Sequence, residues 1–240
     1  MLNVLLTNDD GIEAEGLQEL RRALVSLENV RLAVVAPDGN RSAMARSITT
    51  RRPLWVEETP FEDGTVGYAT DGTPVDCVRL ASLGLIEGFT ADIVIAGINH
   101  GANLGDDITY SGTVAAALEG IVLGIPAIAV SQQSRGGELD WSTAGSYDFG
   151  CAATFVARLV TLLERTPHLL QAFGLDPVVV GQKYVQHRSR PSIGAASVPG
   201  CEDESGARAN RSRTSRVPGQ AHERARFSPP QSARRRSRAP

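Results

Sequence analysis

Asp9 and Asp10 stand side by side where an apolar run ends, in LLTNDDGIEAEGL, residues 5–17. Adjacent carboxylates repel each other and cost free energy when they leave water, so this pair calls for solvent or for a cation. An ordinary Asp-Asp-Gly turn opening a helix is the alternative, because carboxylates also satisfy free N–H groups there. Other segments carry matching chemistry: Ser42 in APDGNRSAMARSIT, Asn99 and Asn103 in GINHGANLGDD, and Ser111 and Thr113 in TYSGT. Carboxylate, hydroxyl and amide oxygens are hard ligands, suited to Mg²⁺, Mn²⁺ or Ca²⁺ rather than Zn²⁺. Ser111, Gly112 and Thr113 stand where an Ala-rich helix begins. Free backbone N–H groups, the helix dipole and two hydroxyls make an anion pocket at such a place; a plain Ser/Thr N-cap uses the same residues. Cation ligands beside an anion pocket suggest a phosphoryl substrate.

The elements that must position these residues follow from hydrophobic period. Residues 2–7 are a short apolar run, as in a strand buried on both faces. Leu17, Leu20, Leu24 and Leu27 recur at helical spacing, and residues 30–36 (VRLAVVA) form a second strand stopped by Pro37-Asp38-Gly39. Strand, helix and strand make a βαβ unit with parallel strands. Short strands are expected at 54–57 and 65–69, and a helix within 71–85 with Pro74 in its first turn. A third buried strand spans 92–96, with GINHGANLGDD as the loop after it. An Ala-rich helix at 111–124 and a strand at 126–131 follow. A helix at about 144–165 places Phe149, Val156, Val160 and Leu163 on one side, and residues 175–180 read as a last strand. The fold class is α/β, a Rossmann-like, mostly parallel sheet flanked by helices. In such a sheet ligands bind beyond the carboxyl ends of the strands, which gathers the residues above at one edge.

Composition bounds the rest. The 240 residues are 42% hydrophobic but only 5% aromatic, which favours a sheet-and-helix interior. No apolar run approaches the roughly 18 residues of a membrane helix, and no secretory leader is visible. Cys77, Cys151 and Cys201 lack metal-ligand spacing and read as reduced thiols of a cytoplasmic protein. The net charge of −3 hides an asymmetry: 12 of the 24 Lys+Arg follow residue 187, whereas 23 of the 27 Asp+Glu precede it. The basic segment is rich in Arg, Ser and Pro and lacks periodic apolar residues, so disorder is expected from about Arg188. The expected division is an α/β domain at 1–182 and an atypical tail at 183–240.

TNDDGIEAEGL, VVAPDGNRSAMARSIT, TDGTPVDCVRLA, DIVIAGINHGANLGDDITYSGTVAAALEG and GIPAIAVS resemble, in this order, the signature blocks of the SurE (survival protein E) family of metal-dependent nucleotidases. The resemblance runs over roughly residues 1–165. It implies hydrolysis of 5′- and 3′-nucleoside monophosphates, some members also shortening polyphosphate, with one divalent metal ion, Mg²⁺ or Mn²⁺, per subunit. It implies a homodimer or homotetramer. Carried over by position, the metal ligands are Asp9, Asp10, Ser42 and Asn99, with Asp9, Asp10 and Asn99 also catalytic, and the attacking group is a metal-activated water. Asn8, Asn103, Ser111, Gly112 and Thr113 surround the phosphate, and Arg41, beside Ser42, is a further candidate for it. His100 reads as a leaving-group acid or as a solvated loop residue, and Arg46 as a phosphate contact or a solvated side chain.

After VVVGQKYVQHRS the pattern expected of the family gives way, and the composition changes as it would after a shift of reading frame in a GC-rich gene; a genuine basic tail added to the domain is the alternative. On the frame-shift reading the tail is not a nucleic-acid module, and neither nucleic acid nor membrane is an expected partner. The alternative function is a catalytically impaired nucleotide-binding protein lacking the family's C-terminal segment. A dinucleotide-dependent oxidoreductase is disfavoured because strand 1 leads into NDDGIEAEG rather than a G-x-G-x-x-G turn.

Overall fold

The computed structural model describes residues 1–134, 147–172 and 178–182, with 170–172 and 178–182 in backbone only. The chain divides into two units, Met1–Cys201 and Glu202–Pro240, and all described residues belong to the first. The expected tail at 183–240, and the disorder expected of it, lie outside the described residues.

In β1 (Leu2–Thr7), Leu2, Val4 and Leu6 enter one buried cluster and Leu5 the other. A strand covered on both faces must be apolar throughout, which is why its sequence shows a run rather than an alternation. The helix α1 (Glu15–Val25) buries Leu17, Leu20 and Leu24 completely, and β2 (Val30–Pro37) returns parallel to β1. Next come β3 (Val56–Pro60), β4 (Val66–Thr70) and α2 (Pro74–Ser82). The start of α2 is a capping box in which Thr73 and Asp76 satisfy each other's backbone N–H, with Pro74 in the first turn as expected. The chain continues through β5 (Ile93–His100), a 3₁₀ turn (Gly105–Thr109), α3 (Gly112–Val122) and β6 (Ala127–Gln132). It ends in α4 (Phe149–Arg165), α5 (Pro167–Ala172) and β7 (Val178–Gln182).

These strands form one seven-stranded sheet in the order β3-β4-β2-β1-β5-β6-β7, parallel except for the antiparallel edge strand β3. Leucines and valines of β1, α1 and α4 fill one side of the sheet; α2 and α3 cover the other with Val78, Ala81, Val114 and Ala117. The chain winds outward from β1 in one direction and then from β5 in the other. The strand order therefore reverses between β1 and β5, and ligands of open parallel sheets bind above such a reversal.

Two differences from the sequence reading matter. The third strand was expected to end at residue 96 but runs on to His100, with an irregularity between Ala96 and Asn99 and renewed pairing of Asn99 with Ser131 and His100 with Gln132. Gly97 has φ +137°, and a Cβ there would lie 2.4 Å from the Val130 carbonyl oxygen. The glycine that reads as a loop signal is thus the device that keeps the strand in the sheet. Cys77 is a buried free thiol, but Cys151 is disulfide-bonded rather than free.

Candidate functional site

The first wall of the site is built by the end of β1 and the start of α3. Asn8 is fully buried: its amide donates to the Gly11 carbonyl (2.9 Å) and its oxygen accepts from the Gly11 N–H (3.2 Å). Both ends of the side chain are spent on the turn, so Asn8 holds Asp9 and Asp10 in place from beneath. Asp9 is 3% exposed. The Thr113 hydroxyl donates to its Oδ1 at 2.5 Å. A Cβ on Gly112 would sit 2.7 Å from the Asp9 Cβ and 2.8 Å from Oδ2, so only glycine lets the helix N-terminus come this close. Burial pushes the Asp9 carboxyl above its usual range; the Thr113 bond opposes this and the charge of Asp10 adds to it.

The second wall is the segment after β2. Asp10, with its side chain 8% exposed, accepts at Oδ2 from the His100 backbone N–H (3.0 Å) and lies 3.1 Å from His100 Nδ1. Its Oδ1 accepts from the Asn40 amide at 3.2 Å, and the Asn40 oxygen in turn accepts from the Ser42 N–H at 2.8 Å. Asn40 thereby joins two expected metal ligands. Sequence reasoning missed it, since Asp-Gly-Asn signals only a turn. Arg41 contributes its backbone, donating to the Asp9 carbonyl at 2.6 Å, while its guanidinium pairs with Asp38 at 2.5 Å. Arg46 pairs with the buried Glu119 at 3.0 Å, and Glu119 also takes Arg79 at 2.8 Å.

Between the walls lies a cleft of about 520 Å³, lined by Asp9, Ser42, Asn99, Asn103 and Ser111 among the expected residues. Asp10, Asn8, Arg41, Gly112 and Thr113 stand behind this lining. Asn103 donates to the Ser131 hydroxyl at 2.7 Å, and Asn99 donates to the Gly101 carbonyl at 2.8 Å, leaving the Asn99 oxygen as acceptor. The Ser111 hydroxyl caps α3, accepting from the Val114 N–H at 3.2 Å. The rings of His100, Tyr110 and Tyr147 also line the cleft. Tyr147, more than a hundred residues from Asp9, had no sequence signal.

The donor set is consistent with a hard divalent cation. Among the described residues no group of three His, Cys, Asp or Glu side chains is placed to hold a metal ion by itself, so the set is mixed: two carboxylates with hydroxyl and amide oxygens. A desolvated Asp9 beside Asp10 is a pair of charges that a cation would neutralise.

Fold and cleft define a parallel α/β protein with an oxygen-rich anionic pocket at its topological switch point, roofed by a helix N-terminus. The model of the family described as Survival protein SurE matches residues 4–201, and the chain belongs to that family. A 5′-nucleotidase SurE of Rubrobacter xylanophilus is 56% identical over 167 residues, covering 68% of this chain and 61% of the relative. A 5′-nucleotidase SurE of Desulforudis audaxviator is 46% identical, covering 68% and 59%. The chain thus spans about three fifths of the length of these relatives. The crystal structure of the SurE protein from Aquifex aeolicus matches with TM-score 0.57 and 36% identity, over 76% of this chain and 67% of that one. The match supports the mostly parallel sheet. Among the described residues no helix is long and apolar enough to cross a membrane.

Proposed function

We propose that this protein is a divalent-metal-dependent 5′-nucleotidase, hydrolysing nucleoside monophosphates to nucleoside and phosphate. The observation that carries the reading is the meeting of Asp9, Ser42 and Asn99 with Ser111 in one cleft at the β1/β5 switch point. Its relatives bear the 5′-nucleotidase name. Asp9, Asp10, Ser42 and Asn99 would hold one Mg²⁺ or Mn²⁺ per subunit. That ion would supply Lewis-acid polarisation of the phosphate and a water of lowered pKa.

The chain's own residues do the rest. Ser111, Gly112 and Thr113 open α3, whose dipole favours a phosphate, with the Ser111, Thr113 and Val114 N–H groups engaged by the Asp107 carbonyl, Asp9 and the Ser111 hydroxyl. Asn103, fixed by Ser131, and the Ser111 hydroxyl orient its oxygens. The Thr113 hydroxyl orients Asp9 and favours its charged form, opposing the upward push of burial on the carboxyl. Arg41 does its part through its backbone bond to Asp9, with its guanidinium engaged by Asp38. Hydrolysis of 3′-nucleotides and of short polyphosphate, and a homodimeric or homotetrameric state, belong to the same reading.

The test is phosphate release from a panel of 5′- and 3′-nucleoside monophosphates, with Mn²⁺, Mg²⁺ or chelator, on the unsubstituted chain and on Asp9→Asn. Metal-dependent release that Asp9→Asn abolishes is the expected result. Nucleotide binding without release, by folded and metal-loaded protein, would instead make it a nucleotide-binding protein.

A further inference from the structure

The His100 ring in the cleft is fixed from three sides. Its Nδ1 lies 3.1 Å from Asp10 Oδ2. The Phe149 ring meets it edge-on with centroids 4.8 Å apart, and the Tyr147 ring does so at 5.2 Å. Tyr147 and Phe149 are themselves stacked at 5.4 Å, with planes 7° apart. Phe149 is 3% exposed and is the first residue of α4, so the clamp is anchored in the core. A carboxylate offers only lone pairs, so the nitrogen facing Asp10 carries the hydrogen. With the backbone N–H of the same residue, His100 thus supplies two donors to a single oxygen of Asp10. The Asn40 amide holds the other oxygen.

Resting on the metal-site reading above, we infer that His100 is a positioning residue for Asp10: its Nδ1–H, aimed by the Tyr147–Phe149 clamp, sets the orientation in which the carboxylate meets the cation. Without Nδ1–H the carboxylate keeps the His100 backbone donor on Oδ2 and the long Asn40 contact of 3.2 Å on Oδ1, a looser hold on a last torsion that is broad for Asp. Fixing that torsion before the cation arrives removes an ordering cost from binding, as outer partners of metal ligands commonly do. The device couples the start of α4 to the loop after β1, two segments that share no sequence signal.

The test exploits the geometry of amides. In His100→Asn the side-chain amide replaces Nδ1, whereas in His100→Gln it replaces Nε2; His100→Leu keeps bulk and offers neither. Mn²⁺ binding is measured by electron paramagnetic resonance on each full-length variant, with thermal unfolding in chelator as the control for folding. The expected result is a Mn²⁺ Kd near that of the unsubstituted chain for His100→Asn, and about tenfold weaker for His100→Gln and His100→Leu, with all unfolding in chelator close to the unsubstituted chain. Equal Mn²⁺ affinity in all variants overturns the inference, as does rescue by Gln but not by Asn, which would assign the work to Nε2. Loss of affinity that follows unfolding temperature across the series overturns it in favour of simple packing. Failure of the unsubstituted, folded chain to bind Mn²⁺ overturns the metal-site reading and this inference with it.

Discussion

The two walls of the cleft are held in place by different physics. The β1–α3 wall is core: Asp9 and Thr113 are 3% and 0% exposed, and the position of the helix is set by a glycine against a carboxylate. The wall after β2 is a surface loop tied down by polar contacts. Asn40 reaches Asp10, the Ser47 carbonyl accepts from Thr73, the Thr49 N–H donates to Asp76, and Arg46 reaches Glu119. Two of its residues, Ala43 and Ala45, have φ of +60° and +50°, where a Cβ is strained. A wall made by packing resists small changes until it fails abruptly; a wall made of separate ties should lose function in steps.

The sharpest test of that contrast is Gly112→Ala. The added carbon has nowhere to go but into Asp9, so overpacking should cost about 1–3 kcal/mol of stability, and the displaced carboxylate should cost about 10²-fold in kcat/KM. Denaturant titration and phosphate release measure the two; a variant as stable and active as the parent would break the picture of a rigid wall. Thr113→Val follows. It removes the donor to a buried carboxylate and should destabilise the metal-free protein by about 1–3 kcal/mol at neutral pH, less at a pH where Asp9 is protonated.

The same carboxylate gives the first wall a pH signature. Because burial raises Asp9 above its ordinary value of 3.8, the folded protein keeps this proton to higher pH than the unfolded chain does. The Asp9 contribution to stability therefore falls as pH rises from about 3.8 through the folded value. Saturating Mn²⁺ should flatten this fall, and Asp9→Asn should remove it in chelator. Unfolding midpoints across pH, for both proteins with and without metal, give the comparison.

On the loop wall the expected effects are smaller. Asn40→Ala cuts the link between Asp10 and Ser42 and should weaken Mn²⁺ binding about tenfold while moving stability by about 1 kcal/mol. Smallest of all, Ala43→Gly should raise stability by about 0.5 kcal/mol. The relief of a left-handed Cβ outweighs the added freedom of the unfolded chain. A destabilised Ala43→Gly in denaturant melts would mean that the loop stores no such strain.

The contrast also explains what could be read beforehand. Leu17, Leu20 and Leu24 in α1 and Phe149, Val156, Val160 and Leu163 in α4 advertise their burial by spacing, because a helix face is a local, periodic object. Parallel topology then gathers the strand ends, which is why Asp9, Asp10, Ser42, Asn99, Asn103, Ser111 and Thr113 were expected together; Asp9, Ser42, Asn99, Asn103 and Ser111 line one cleft, and Asp10 and Thr113 stand behind it. Gly97 was misread because its local meaning, a loop, loses to a cross-strand contact with Val130.

The sequence by itself determined the α/β architecture, the membership of the SurE family and the set of residues at the carboxyl edge. Each follows from periodicity or from contiguous blocks of residues. Only the tertiary structure decided which of those residues face the cleft and which support it. Asn8 turned inward to Gly11, Arg41 turned to Asp38, Arg46 joined Glu119, and Asn40 and His100 reached Asp10 while Tyr147 met the His100 ring, from three distant segments. A side chain's partner depends on distances across the fold, and pairs with no fixed separation along the chain leave no pattern in it.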